Sequence, residues 1–156
     1  MIRRWVVAVL LVLAVPFVTL LTMSLTARKP ANVGRPTAKL APCPSANNCV
    51  CSQDEGASHV DPYPMGPNAE RAWFTLREML RKGERIRLVV DAPNYLHLEH
   101  RSAVFGFVDD LEFVRDDSAG VIHVRAAARS GKYDLGANRR LIDRIRESLA
   151  KLLKSP

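Results

Sequence analysis

Ionisable side chains recur at alternate positions in three short segments of the C-terminal half of the chain. Alternate residues of an extended strand point to the same side, so each segment would present its acids, bases and imidazoles together. Such a surface could bind a charged ligand, or pair a carboxylate with an imidazole for general acid and base catalysis within hydrogen-bond reach, about 2.6–3.2 Å. The candidate residues are His97, Glu99, Arg101, Asp110, His123, Arg125 and Arg129, with Glu112 beside them.

The same alternation is also typical of a solvated sheet surface with cross-strand ion pairs, each contributing about 0–1 kcal/mol. A metal site built from His97, Glu99 and His123 is a further alternative, but their spacing matches no specific metal motif. We therefore predict no metal and no cofactor. Binding, catalysis and ion pairing stay open as roles for these residues.

Arg139 is a further candidate, because it lies near the start of a predicted helix, where a positive charge opposes the helix dipole. This placement favours an anion: a phosphate or carboxylate could bind the free backbone N–H groups of the first turn, with Arg129 or Arg139 alongside. Alternatively, Arg139 pairs with Asp143 and both residues are structural. Asp134 is the expected cap of this helix.

Three cysteines lie close together in a Pro-rich segment. Cys43 and Cys49 can form a disulfide bond in an oxidising compartment, which would stabilise the fold by about 2 kcal/mol. Cys51 is then left over. It could join the other two and His59 around zinc, although the spacing fits no closed site, or it could stay a free thiol that cross-links chains.

Four strand-like segments must position the candidate residues. Alternation predicts strands over about 85–91, 95–101, 108–115 and 122–127, with Ile86, Leu88 and Val90 on the apolar side of the first. Short connections between these segments favour an antiparallel meander, because parallel pairing needs crossovers of about a dozen residues.

Two amphipathic helices flank the strands. Asn68 is expected to cap the first helix, which runs to Lys82, and the second helix covers about residues 134–153. A sheet with one apolar face is completed when both helices pack on that face. The sequence thus predicts an α+β fold: a four-stranded antiparallel sheet with two amphipathic helices packed on one face and a polar second face.

An apolar segment precedes this domain. Residues Trp5 to Leu25 carry no charge and, at ~1.5 Å per residue, can span a hydrocarbon core of ~30 Å. We predict a transmembrane anchor within residues 1–26, with the membrane crossed by residues 5–25, and a cleaved signal as the alternative. Residues 27–67 hold seven of the ten prolines and are predicted to be a linker, which leaves residues 68–156 as the compact domain.

The orientation of this anchor is judged from two features that disagree. More basic residues follow the apolar segment than precede it, which by itself favours a cytoplasmic domain. The cysteine pair instead favours an oxidising compartment. We expect a single-pass protein of a bacterial inner membrane whose domain faces the periplasm or the cell exterior.

The formal charge of +7 is concentrated near the C-terminus. Residues 129–156 contain eight Lys or Arg against three Asp or Glu, whereas residues 27–128 contain thirteen of each kind. The excess could face an anion, or it could belong to a solvated helix surface with i,i+4 ion pairs. The expected partner is an anionic ligand or an envelope membrane protein. No nucleic acid is expected, because no nucleic-acid-binding module is recognisable.

Several spaced sequence blocks resemble a known protein family. The blocks are LAPCP (40–44), NCV (48–50), SQ (52–53), FGFVDD (105–110), VIHVR (121–125), DLG (134–136) and NRR (138–140). In this order they resemble the DUF1499 family over residues 40–149. The resemblance implies a domain of unknown function that often occurs in membrane-attached or exported bacterial proteins. That family usually has serine at the position of Cys51.

No P-loop, nucleophile elbow or His-Glu-x-x-His zinc motif is present in the sequence. The first hypothesis is therefore a non-enzymatic binding or scaffold module of the cell envelope. The alternative is an envelope hydrolase that uses Glu99, Asp110 or His123. A third hypothesis is a redox-sensitive assembly partner that acts through Cys51.

Overall fold

The chain folds into three α-helices and six β-strands, as described for residues 2–36 and 38–154 of a computed structural model. In chain order these are α1 (Ile2–Leu25), β1 (Cys49–Cys51), β2 (Tyr63–Pro64), α2 (Ala69–Arg81), β3 (Ile86–Ala92), β4 (Tyr95–Arg101), β5 (Val108–Asp116), β6 (Val121–Ala128) and α3 (Ala137–Lys154). A short 3-10 turn, Gly56–Ser58, follows β1. The predicted α+β class is confirmed.

The sheet is antiparallel throughout, in the order β1-β6-β5-β4-β3, and β2 also pairs with β6. The four predicted strands form the meander β3 to β6. The predicted number of four is wrong, because β1 and β2 also join the sheet. They are three and two residues long, too short for alternation to reveal. Both come from the Pro-rich segment, so part of that segment belongs to the sheet.

A β-bulge in β3 changes which of its residues share a face. The pairing shifts between Leu88 and Val90, so that Leu88 opposes Leu98 whereas Val90 opposes His97. The prediction that Val90 lies on the same side as Ile86 and Leu88 is therefore wrong. The extra residue in the bulge reverses the alternation beyond it.

Helices α2 and α3 cover one face of the sheet. Asn68 caps α2 as predicted, by accepting a hydrogen bond from the Arg71 N–H at 2.9 Å. Tyr63 fastens β2 to α3, because its hydroxyl donates to the carbonyl of Ile142 at 2.6 Å. The buried core between helices and sheet includes Trp73, Leu76, Leu80, Leu98, Phe113, Val124, Ile142 and Leu149. The opposite sheet face is left for the ionisable residues.

Helix α1 is long and apolar enough to span a membrane, and most of its described side chains are exposed. Its C-terminal half touches the domain. The rings of Phe17 and Phe105 lie 5.6 Å apart between centroids, and the hydroxyl of Ser130 donates to the Met23 carbonyl at 3.0 Å.

Candidate functional site

The ionisable residues of β4, β5 and β6 lie on the sheet face opposite the helices, which we call the charged face. Directly opposed residues of neighbouring strands share a face. Two successive rows across the sheet are Cys51, Arg125, Glu112 and His97, and then Cys49, Ala127, Asp110, Glu99 and Arg87. The structure therefore brings together five of the predicted site residues: His97, Glu99, Asp110 and Arg125 in these rows, and Arg129, which hydrogen-bonds to Asp110 and Glu99.

The charged face is closed off from solvent. Residues 29–36 and 38–43, which we call the cover segment, lie over it. Val33 and Leu40 of the cover segment are buried, and Gly34 donates its N–H to the Tyr95 hydroxyl at 3.0 Å. Five ionisable residues beneath it are at most 4% exposed: His97, Glu99, Asp110, Glu112 and Arg125. The alternative of a solvated sheet surface is therefore wrong.

Asp110 is the centre of a buried ion network. Its carboxylate lies 2.7 Å from His97 Nε2 and accepts hydrogen bonds from Arg129 Nη2 and Nε at 2.6 and 2.8 Å. Arg129 also donates to Glu99 at 2.6 Å, and Glu99 accepts from Arg87 at 2.9 Å. One guanidinium thus bridges two buried carboxylates. Such pairing offsets part of the cost of taking these charges out of water.

The pKa values of the Asp110 and Glu99 carboxyls are lowered in the folded chain. Burial by itself raises the pKa of a carboxyl group, because it disfavours the charged form. The hydrogen bonds from Arg129, together with His97 for Asp110 and Arg87 for Glu99, outweigh burial and hold each pKa below its usual value. Both groups are therefore ionised at neutral pH.

Acid is expected to destabilise the domain through these two carboxyls. A group whose pKa is lower in the folded chain stabilises the fold above its unfolded pKa, which is 3.8 for Asp and 4.5 for Glu. That contribution is lost as the pH falls through the lower, folded value. The free energy of unfolding from urea titrations should therefore decrease as the pH drops below about 4.5. The variant Asp110→Asn should show a shallower decrease, and an equal slope would contradict this assignment.

Glu112 forms a second branch of the network, and this branch reaches the cover segment. Its carboxylate accepts from the Tyr95 hydroxyl at 2.5 Å and from Arg125 Nη1 at 3.1 Å, and the Gly34 N–H lies 3.4 Å away. Burial raises the pKa of Tyr95, and the adjacent Glu112 raises it further. Two buried nitrogens of this face, His97 Nδ1 and Arg125 Nε, have no hydrogen-bond partner among the described residues. The cover segment of the chain itself occupies the space over this face.

Arg139 has a structural role in this arrangement. Its guanidinium donates to the carbonyls of Ala57 and His59 at 2.8 Å each, so it ties the start of α3 to the 3-10 turn. Asp143, the alternative partner expected from the sequence, lies 3.8 Å from Arg146. The Arg101 side chain lies at the margin of the charged face and is more than half exposed.

His123 is separated from the carboxylates predicted to work with it. Asp110 pairs with a residue four positions further along β6, which places it about 13 Å from His123 along the strand. The Nδ1 atom of His123 instead lies 3.2 Å from Ser52 Oγ, and its Nε2 lies 3.6 Å from Asp116. The predicted hydrolase set of Glu99, Asp110 and His123 is therefore not assembled. Sequence reasoning missed Ser52, which follows a strand too short to recognise.

The three cysteines form one bonded pair and one buried thiol. The sulfurs of Cys43 and Cys49 lie 2.05 Å apart, which is the predicted disulfide bond. Cys51 is fully buried against Leu40 and Tyr95, and burial raises the pKa of its thiol. Within residues 2–36 and 38–154, no group of three or more His, Cys, Asp and Glu side chains is arranged to hold a metal ion.

These features define an α+β domain with helices on one sheet face and, on the other, an ion network closed by the domain's own N-terminal segment. The chain belongs to the DUF1499 family, because the model of that family, described as a protein of unknown function, matches residues 39–149. The resemblance in the sequence blocks is thus confirmed. No curated protein and no solved structure matches the chain.

Proposed function

We propose that this chain is a single-pass protein of the bacterial cell envelope whose extracytoplasmic domain binds an anionic ligand and is not an enzyme. Helix α1 would be the anchor, since its length and composition suit a membrane span. The disulfide between Cys43 and Cys49 supports an extracytoplasmic location, because such bonds persist in oxidising compartments.

The binding role is supported by where the charges lie: acidic residues are paired in the interior, and basic residues are exposed on the surface. Three carboxylates are buried in the charged face, where they engage the basic residues of β3 and β6 and of the loop after β6. Helix α3 instead buries its apolar side in the core and turns its basic side outward. The exposed basic residues of α3 are Arg140, Arg144, Lys151 and Lys154, and one exposed acid, Glu147, lies among them. The excess of positive charge on this surface attracts anionic ligands.

The ligand class that suits this surface carries phosphate or carboxylate groups. Guanidinium groups hydrogen-bond both kinds of oxyanion in a bidentate manner, and lysine adds charge. An acidic envelope polymer, an anionic lipid headgroup and an acidic patch of a membrane protein all offer this chemistry. The charged face itself is not part of the proposed surface, because the cover segment occupies it.

Binding can be tested with full-length protein in neutral detergent micelles, with polyphosphate, polyglutamate and phosphatidylglycerol as separate probes. We expect at least one probe to bind with an affinity that falls as salt is added. Arg144→Gln combined with Lys154→Gln should weaken that binding about 3- to 10-fold, since each exposed charge contributes up to about 1 kcal/mol.

The matched control removes two exposed basic residues from another part of the domain, Lys82→Gln with Arg85→Gln. It has the same net charge as the test variant, so it separates a local binding surface from a general charge effect. Equal weakening in both variants, or no binding of any probe, would defeat the proposal. Which probe binds identifies the ligand class.

A hydrolase is the second candidate function, because one constellation has the residue types of a catalytic triad. The Ser52 hydroxyl lies 3.2 Å from His123 Nδ1, and His123 Nε2 lies 3.6 Å from the Asp116 carboxylate. Two observations argue against Ser52 as a nucleophile. Its hydroxyl also accepts a hydrogen bond from the Val124 N–H at 2.9 Å, and the residue is largely buried. We therefore place this candidate second.

A fluorophosphonate probe, which labels activated serines, tests this second candidate. Labelling that is lost in Ser52→Ala and kept in Ser58→Ala, a control serine of similar burial, would favour a hydrolase. Wild-type protein that remains unlabelled would exclude Ser52 as a nucleophile towards this probe.

A further inference from the structure

Two loops of the domain lie beside the C-terminal half of α1. The first loop, residues 102–107, brings Phe105 against Phe17 of α1. The second loop, residues 130–136, is held by the hydrogen bond from Ser130 to the Met23 carbonyl. These contacts fix the level of both loops along the helix axis.

That level lies well inside the apolar helix. Phe17 precedes Leu25, the last residue of α1, by eight residues, which corresponds to about 12 Å along the axis. One leaflet of a bilayer contributes about 15 Å of hydrocarbon. If α1 spans a bilayer, the ring of Phe105 therefore lies within the hydrocarbon of the leaflet on the domain's side.

The same loops carry apolar side chains that nothing in the described domain covers. Val104, Tyr133 and Leu135 are 81%, 71% and 87% exposed, more than any other large hydrophobic residue outside α1 in the described ranges. The 102–107 loop contains no charged residue. Tyrosine is enriched where proteins meet the membrane interface, and a lysine such as Lys132 can extend its amine to the headgroups.

A cavity of about 310 Å³ at this junction has the same chemical character. It lies between α1 and the two loops, and its wall is mainly apolar. The apolar lining includes Leu20, Met23, Phe107, Ala128, Tyr133 and Leu135. Acyl chains suit such a space, because it opens beside the helix that would contact lipid.

We infer that the 102–107 and 130–136 loops insert into the leaflet on the domain's side, so that the domain is seated in the lipid and not suspended above it. The inference rests on the anchor of the proposed function, but it is independent of the anionic ligand. The partner of this surface is the hydrocarbon and interface of the lipid leaflet.

Depth-dependent quenching tests the insertion. Full-length variants Val104→Cys, Leu135→Cys and Phe74→Cys are labelled with an environment-sensitive fluorophore and reconstituted in phosphatidylcholine vesicles that contain nitroxide lipids. Phe74 is the matched control, because it is 64% exposed but lies on α2. Protein without an added cysteine corrects for labelling of buried Cys51.

The labels at positions 104 and 135 should be quenched about twofold or more relative to the label at position 74, with blue-shifted emission. Quenching equal to that of position 74 overturns the inference. Extraction of the vesicles at alkaline pH distinguishes a failure of the membrane anchor from a failure of the loop insertion alone. Protein that is released has no anchor, which defeats both proposals, whereas protein that stays with the membrane while its labels remain unquenched defeats the insertion alone.

Discussion

Replacing Asp110 with alanine (Asp110→Ala) is expected to lower the free energy of unfolding by about 3–5 kcal/mol. The substitution leaves the Arg129 guanidinium largely buried with one of its two carboxylate partners missing, and it removes the only carboxylate that contacts His97 among the described residues. A buried charge that loses its partner cannot recover its hydration. Domains of this size are stable by only about 5–15 kcal/mol, so a loss of this size is a large part of the total.

This change can be measured by urea denaturation of full-length protein in detergent. Buried Trp73 reports the unfolding of the domain in a Trp5→Phe background. Asp117→Ala is the matched control, because Asp117 also pairs with an arginine, Arg115, but its side chain is 56% exposed. The control should lose less than about 1 kcal/mol. Similar small losses in both variants would mean that the network is not buried as described.

Gly34→Val is expected to lower the free energy of unfolding by about 2–5 kcal/mol and to lift the cover segment from the charged face. Gly34 has a φ of +80°, which β-branched residues strongly disfavour. A Cβ atom at this position would also lie 2.8 Å from His97 Nδ1. The imidazole is fully buried and bonded to Asp110, so it cannot move aside without breaking that contact.

The control Gly66→Val separates the two causes. Gly66 also has a positive φ, +66°, but nothing lies within 4 Å of a Cβ atom there. It should therefore show only the backbone cost, about 1–2 kcal/mol. Hydrogen exchange of residues 29–36 gives the second readout: these amides should lose protection in Gly34→Val and keep it in Gly66→Val. Unchanged protection in both variants would contradict the proposed role of Gly34.

The cover segment also affects how α1 and the domain are connected. Its proline content predicts an extended linker. In the structure it is packed on the charged face, and it is held at one end by Gly34 and at the other by hydrogen bonds from the Leu40 and Cys43 amides to Gln53 and Asp54. Residues 26–28 alone separate Leu25, the last residue of α1, from the start of the cover segment. This short connection is consistent with a domain held close to the bilayer.

Local sequence signals predicted several elements correctly because they depend on near neighbours. Alternation placed Leu96 and Leu98 towards the helices and His97 and Glu99 on the opposite side. The cap at Asn68 follows from a side chain that reaches an amide three residues away. These signals failed where a single residue or a very short strand interrupts the period, as at the bulge before Val90 and in β1 and β2.

The candidate site was predicted less completely than the fold. The sequence placed His97, Glu99, Asp110 and Arg125 on one side of the sheet, but it gave no sign that this side is buried. It also grouped His123 with Asp110, since a shared face does not imply a short distance along the strand. Ser52, whose hydroxyl lies 3.2 Å from the His123 ring, is 71 residues away in the chain.

The sequence by itself determined the apolar helix, the cap of α2, the antiparallel meander and the face on which most strand residues lie, because each of these follows from interactions over a few residues. Only the tertiary structure decided that the charged face is closed and which bases meet which acids. Gly34 meets Tyr95 and Glu112 across 61 and 78 residues. No local period encodes such a contact, since it depends on where the whole sheet and the cover segment come to lie.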